Sequence, residues 1–264
     1  MTASLSPAEQ VAALAAEALQ HRAVRHPYLR ALAEGSFDDT RGALADFARH
    51  YHGYSVHFPR YLAAVIGRLE SPLHRRALLE NLTEESGQYP QDELDVLAGM
   101  GIERAWIEGV PHPKLFERFC RALHVEPGQH EEALEVVCWR EMLMAVLQSG
   151  SAAEAIGAIG LGTENIVRAI YQPICCAILR VPELGEEDTV FFPLHTAVDD
   201  HHHETLQRIA TELAATPQGV RDLAKGMRKA LALRGAFWDW LEERARCMAS
   251  PRGHARAESF LMAS

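Results

Sequence analysis

The chain has 264 residues, 48% of them hydrophobic, with 26 Lys and Arg against 36 Asp and Glu and a formal net charge of −10 at pH 7. That size supports one substantial core, while the acidic balance and the lack of a Lys/Arg-rich stripe exclude nucleic acid as a partner. No run of about 18 apolar residues occurs, so a membrane-spanning helix is not expected.

Apolar residues recur at steps of three and four almost throughout, and alternating Val/Ile/Thr segments are nearly absent, which predicts an all-α fold. Ser6-Pro7-Ala8-Glu9 reads as an N-cap, a first-turn proline and a third-position acid, opening a helix to about Ala23. A short helix from Pro27 to Ala33 stops at Gly35. Asp38 or Asp39 caps a long helix to about Leu69, kinked at Pro59 because the proline ring blocks a backbone hydrogen bond. Pro72 opens the next helix, interrupted by Gly87 and Pro90, and Asp92 to Met100 forms another. Helices follow at about 113–124, 129–148, 151–180, 190–214 and 217–248, punctuated by Pro127, Gly150, Pro182 and Pro217. The single helical domain is expected to span 1–250, with a loosely held tail over 251–264.

The segment His195, Asp199, His202 has spacings of four and three, which place three side chains on one narrow arc of a helix. Leu206, Ile209 and Leu213 continue the same stripe, so the polar trio stands where core residues belong. Two imidazoles and a carboxylate buried without partners would cost several kcal/mol, and a cation compensates them well. With Asp200, His201 and His203 crowding the segment, a solvated charge cluster is the competing reading. Glu164 likewise shares an apolar face with Leu161, Val167, Tyr171 and Ile178, with a buried Glu–Arg pair as the alternative to a metal ligand. Glu84-Glu85 closes a leucine-rich helix against the helix dipole, and local periodicity places Glu85 nearer the Leu78/Leu82 face. His112 opens an amphipathic run of Leu115, Phe116, Phe119 and Leu123. Tyr51, Tyr54, His57, Phe58 and Tyr61 on the long helix, with Tyr171 and Phe192, are candidates to wall a substrate pocket, although aromatic stripes more often form core. Cys120, Cys138, Cys175, Cys176 and Cys247 contain no Cys-x-x-Cys pair and read as reduced thiols. These features, and the acidic Glu9 and Glu17 where a basic leader would stand, point to a cytoplasmic protein.

Taken together, HPYLRALAEGSF (26–37), YSVHFPRYLAAV (54–65), RRALLENLTEESG (75–87), HPKLFERFCRALHV (112–125), SAAEAIGAIGLGTENIVRAIYQPI (151–174) and FFPLHTAVDDHH (191–202) resemble the haem-oxygenase-like diiron oxidases and oxygenases. That family is related in fold to thiaminase-type and pyrroloquinoline-quinone synthase proteins. The resemblance implies a single-domain haem-oxygenase-like helical bundle that binds two irons through three histidines and three carboxylates. Carried onto this chain, the ligands are Glu84, His112, Glu164, His195, Asp199 and His202. The family sets its first Glu and first His about two helical turns apart. Here 27 residues intervene between Glu84 and His112, which implies an insertion around Gln88 to Pro111 and makes Asp92 a rival for the His112 position. Glu85 is the rival for Glu84. A branch that converts its own side chains to para-aminobenzoate uses a Tyr and a Lys where this chain has Leu29 and Ile174, so that activity is not implied.

The implied activity is uptake of O2 by two ferrous ions, with or without an external electron donor, and oxidation of a small organic substrate, amines and amino-acid derivatives included. A homodimer is implied by analogy. Three other readings compete: a metal-free oxidase of the pyrroloquinoline-quinone synthase type, a thiaminase-like hydrolase using Cys138 or Cys175-Cys176, and a non-catalytic helical binding protein.

Overall fold

The structure is a computed structural model and describes residues 5–129 and 131–248; the side chains of 197–203 and 248 lie outside the described residues, as does the expected tail from 251. Every regular element among the described residues is helical, and none of these helices is long and apolar enough to cross a membrane.

The entry helices follow their local signals. In α1 (Pro7–Gln20), the Ser6 hydroxyl accepts from Glu9 N–H while the Glu9 carboxylate accepts from Ser6 N–H, a complete capping box. Helix α2 (Pro27–Glu34) ends on Gly35 at φ 68°, where a left-handed residue closes the turn without a Cβ clash. The long kinked helix expected from Asp39 to Leu69 is two helices. Asp39 caps α3 (Thr40–Ser55), and Pro59 lies in the first turn of α4 (Phe58–Arg68). Proline has no N–H and its ring collides with the preceding turn, so the chain breaks at Val56 and His57 and restarts with proline where no donor is needed.

Ser71 caps α5 (Pro72–Glu84), and α6 (Gln91–Gly99) and the short α7 (Arg104–Ile107) follow. Next come α8 (His112–Ala122) and α9 (Leu134–Ser149), the latter starting later than the pattern predicts. The expected continuous helix over 151–180 is also broken. It comprises α10 (Ala152–Ile156), a π-helical turn (Gly157–Leu161), a 3₁₀ turn (Glu164–Ile166) and α11 (Val167–Ile178). The cause is tertiary. The last long helix, α14 (Pro217–Met248), crosses this segment at backbone contact: a Cβ on Gly157 would lie 2.1 Å from the Leu223 carbonyl oxygen, and one on Gly226 would lie 1.8 Å from that of Glu154. Thr163 then turns the chain at φ −128°, ψ −72°. After the short α12 (Glu186–Thr189), α13 (Phe191–Leu213) runs back along α11, α8 and α5.

The core centres on α3. Phe47 and Tyr51 stack with centroids 4.9 Å apart, and Tyr51 lies nearly parallel to Trp238 of α14 at 6.1 Å. Phe116, Phe119 and Phe192 complete the cluster edge-to-face. At its edge Arg244 grips buried Asp46 with two hydrogen bonds of 2.9 and 2.7 Å. Burial alone would raise the Asp46 carboxyl, but His50 and Arg244 outweigh it and hold it down at about 2.

Candidate metal centre

The segment between α5 and α8 explains how residues far apart in sequence meet. Gly87 takes φ 82°, its carbonyl accepts from Gly109 N–H at 2.8 Å, and the Glu85 carbonyl accepts from His112 N–H at 3.0 Å. A Cβ on Gly87 would lie 2.5 Å from the Val110 nitrogen, so only glycine lets the two strands of the neck approach. Helices α6 and α7 are thus an excursion that leaves and rejoins the bundle at one place, with Glu85 at its exit and His112 at its return.

Glu85, His112 and His195 each bring a ligand atom within 4.8 Å of the other two. Glu85 and His112 are buried and His195 is half-buried. The His112 Nδ1 lies 3.1 Å from Glu85 Oε1, yet the pair is not aligned as a hydrogen bond and Nδ1 is a buried atom lacking a hydrogen-bond partner. A carboxylate oxygen and imidazole nitrogens held this close in a buried site are a donor arrangement that a cation can share. The outer nitrogens are engaged. His112 Nε2 is 2.6 Å from the Tyr89 hydroxyl, and His195 Nδ1 donates to the Phe191 carbonyl at 2.6 Å, which leaves the lone pair of a neutral His195 ring on Nε2. Such outer bonds fix a ligating imidazole's tautomer and aim. Burial, with Glu85, Glu93 and Glu84 nearby, drives the Tyr89 phenol above its ordinary range, so it stays protonated. The donor set is two histidines and one carboxylate, the combination suited to non-haem Fe(II).

Glu164 is buried and lines the same cavity of about 30 Å³ as Glu85, His112 and His195. It does so from the start of the 3₁₀ turn, and not from the regular helix face that sequence periodicity assigned it; the break at Gly157–Thr163 re-aims it. Glu84 is also buried, but it is Glu85 that belongs to the three-residue cluster. Asp92 is exposed on the first turn of α6, away from the cavity. The side chains of Asp199 and His202 lie outside the described residues. Among the aromatic candidates, Tyr51, Tyr54, Phe58 and Tyr171 line the cavity. Tyr61 and Phe192 are core residues, and His57 lines a separate cleft of about 310 Å³ beside His50 and His52. Cys138 is exposed and Cys175 and Cys176 are half-buried, and none of the three lines the cavity.

Sequence reasoning missed Tyr89, Ser55 and Arg234. Arg234 carried a readable signal: Met227, Leu231, Trp238 and Leu241 are buried at steps of four and three around it, so an arginine interrupts a core stripe as Glu164 does.

Residues 45–235 match the family described as iron-containing redox enzyme, and the chain belongs to it. No curated protein matches the sequence. Among solved structures, a domain of unknown function with a heme oxygenase-like fold from Shewanella denitrificans OS217 aligns at TM-score 0.67 and 16% identity over 92% of this chain and 93% of its own. A CADD-like protein of unknown function from Nostoc punctiforme PCC 73102 gives 0.66 and 15% over 90% and 98%. A TenA homolog from Pseudomonas syringae pv. tomato str. DC3000 gives 0.66 and 16% over 89% and 92%. The fold is therefore haem-oxygenase-like, and the family is one of iron-containing oxidoreductases.

Proposed function

We propose that the protein is a non-haem diiron oxidase or oxygenase acting with O2 on a small organic substrate. Glu85, His112 and His195 would hold one ion, and Glu164, with Asp199 and His202, would complete the second position. The observation that carries this reading is the convergence of Glu85, His112 and His195, with the His112 Nδ1 facing the Glu85 carboxylate at 3.1 Å. Bound iron would supply O2 activation and electron transfer.

The chain's own residues do the rest. Tyr89 and the Phe191 carbonyl hold the two imidazoles in orientation, and the carboxylates of Glu85 and Glu164 supply negative charge that favours divalent cations. Phe58, Val167 and Phe191 line the cavity with apolar surface, which limits water around the reacting groups. Burial pushes the Tyr54 phenol up to about 12, so it serves as a neutral hydrogen-bonding group. The cavity walls, not the ligands, set the substrate.

The test is anaerobic loading with Fe(II), iron quantification per chain, and an optical spectrum before and after O2. Close to two irons with an O2-dependent absorption change supports the reading. An iron content near zero overturns it in favour of a metal-free oxidase or a helical binding protein. A single iron bound by Glu85, His112 and His195 would restrict the protein to mononuclear chemistry.

A further inference from the structure

Arg234 is 2% exposed in the middle of α14 and lines the cavity that holds Glu85, His112, Glu164 and His195. Its Nη1 donates to the Tyr51 hydroxyl at 3.3 Å and its Nη2 to the Tyr54 hydroxyl at 3.0 Å. The guanidinium carbon also lies 5.1 Å from the Tyr54 ring centroid and 5.3 Å from that of Trp139. Phenols and π-faces solvate a cation without neutralising it. Among the described residues no carboxylate forms an ion pair with Arg234, and its Nε is buried with no hydrogen-bond partner. A guanidinium left so deep in a low-dielectric interior is costly unless an anion joins it. A second orphan lines the same cavity: Ser55 is 8% exposed and its Oγ is buried with no partner.

We propose that Arg234 and Ser55 form an anion subsite that binds the carboxylate of a small organic acid. Resting on the reading of the cavity as an oxidase site, this makes the substrate a carboxylic acid. A planar fork of N–H donors matches the two oxygens of a carboxylate, and a serine hydroxyl donates one further bond. The cavity is small, about 30 Å³, which matches a compact head group and no long chain, and the Phe58, Val167 and Phe191 side chains border it. Tyr51 and Tyr54 are positioning residues, since they hold the guanidinium.

The test uses acetate and its neutral isostere acetamide, titrated calorimetrically at fixed ionic strength into the full chain, both metal-free and loaded anaerobically with Fe(II). The variants are R234Q, R234K and S55A, with iron content and circular dichroism recorded on the same samples. The wild type should prefer acetate by about tenfold or more; R234Q should lose that preference, R234K should keep part of it, and S55A should weaken acetate severalfold. The subsite is overturned if the wild type binds acetate and acetamide alike, or if R234Q keeps the preference. Should R234Q fail to fold, unchanged preference in both R234K and S55A overturns it equally. Failure of the oxidase reading is separable: wild type that takes up no iron refutes the metal centre, while the acetate preference of the metal-free chain still decides the subsite.

Discussion

Gly157→Ala tests whether backbone contact between α14 and the π-helical turn aims Glu164. A Cβ there would sit 2.1 Å from the Leu223 carbonyl oxygen and 2.8 Å from its Cα. Favourable carbon contacts begin near ~3.5 Å, so α14 must retreat by roughly 1 Å. Both colliding atoms are backbone, and no rotamer change relieves them. Overpacking of a core commonly costs about 1–3 kcal/mol, and this contact belongs at the top of that range or above it. For a chain of this size each kcal/mol lowers the melting temperature by about 2–4 °C, so a loss of roughly 6–12 °C is expected. The control is Gly67→Ala in α4, where a Cβ meets nothing within 4 Å. Alanine there should stabilise the helix by up to ~1 kcal/mol. Thermal unfolding followed by far-UV circular dichroism reads both variants. If Gly157→Ala melts with the wild type, the close crossing does not exist as described and the placement of Glu164 loses its cause.

Three further predictions concern the site and the scaffold. Glu85→Gln keeps the shape and removes the charge, and should weaken Fe(II) binding by at least ~10–100-fold without disturbing the circular dichroism spectrum; anaerobic titration with a chromophoric chelator measures it, and unchanged affinity would remove Glu85 from the ligand set. The Asp46 carboxyl is held at about 2 when folded, against about 3.8 when exposed, so its clamp with Arg244 contributes fully above the unfolded value and is lost as pH falls from about 4 to about 2. Denaturant titrations of the wild type and Asp46→Asn across that window should differ by ~2 kcal/mol at neutral pH and converge below it. Burial raises the Cys120 thiol to about 12, while Cys138 and Cys247 are exposed. A thiol reagent should therefore modify Cys138 and Cys247 first and reach Cys120 only on unfolding, and peptide mapping that finds Cys120 among the first labelled would contradict its burial.

The sequence by itself determined the helical class and most helix ends, because capping boxes, prolines and glycines act within one or two turns. Ser6, Asp39, Pro72 and Pro217 open α1, α3, α5 and α14 for reasons legible in the chain alone. It also singled out Glu164 and His195 as polar residues out of place, and residues 45–235 fall in a family of iron-containing redox enzymes. Only the tertiary structure decided where those residues go. Periodicity carried a helix straight through 151–180, whereas α14 crosses it at backbone contact with Gly157, where the helix is broken. Nor could periodicity join Glu85 to His112 across the segment 86–111, which depends on backbone bonds from Gly109 to Gly87 and from His112 to Glu85. Local rules read neighbours along one helix, whereas a metal centre is made from side chains that different helices bring to one point.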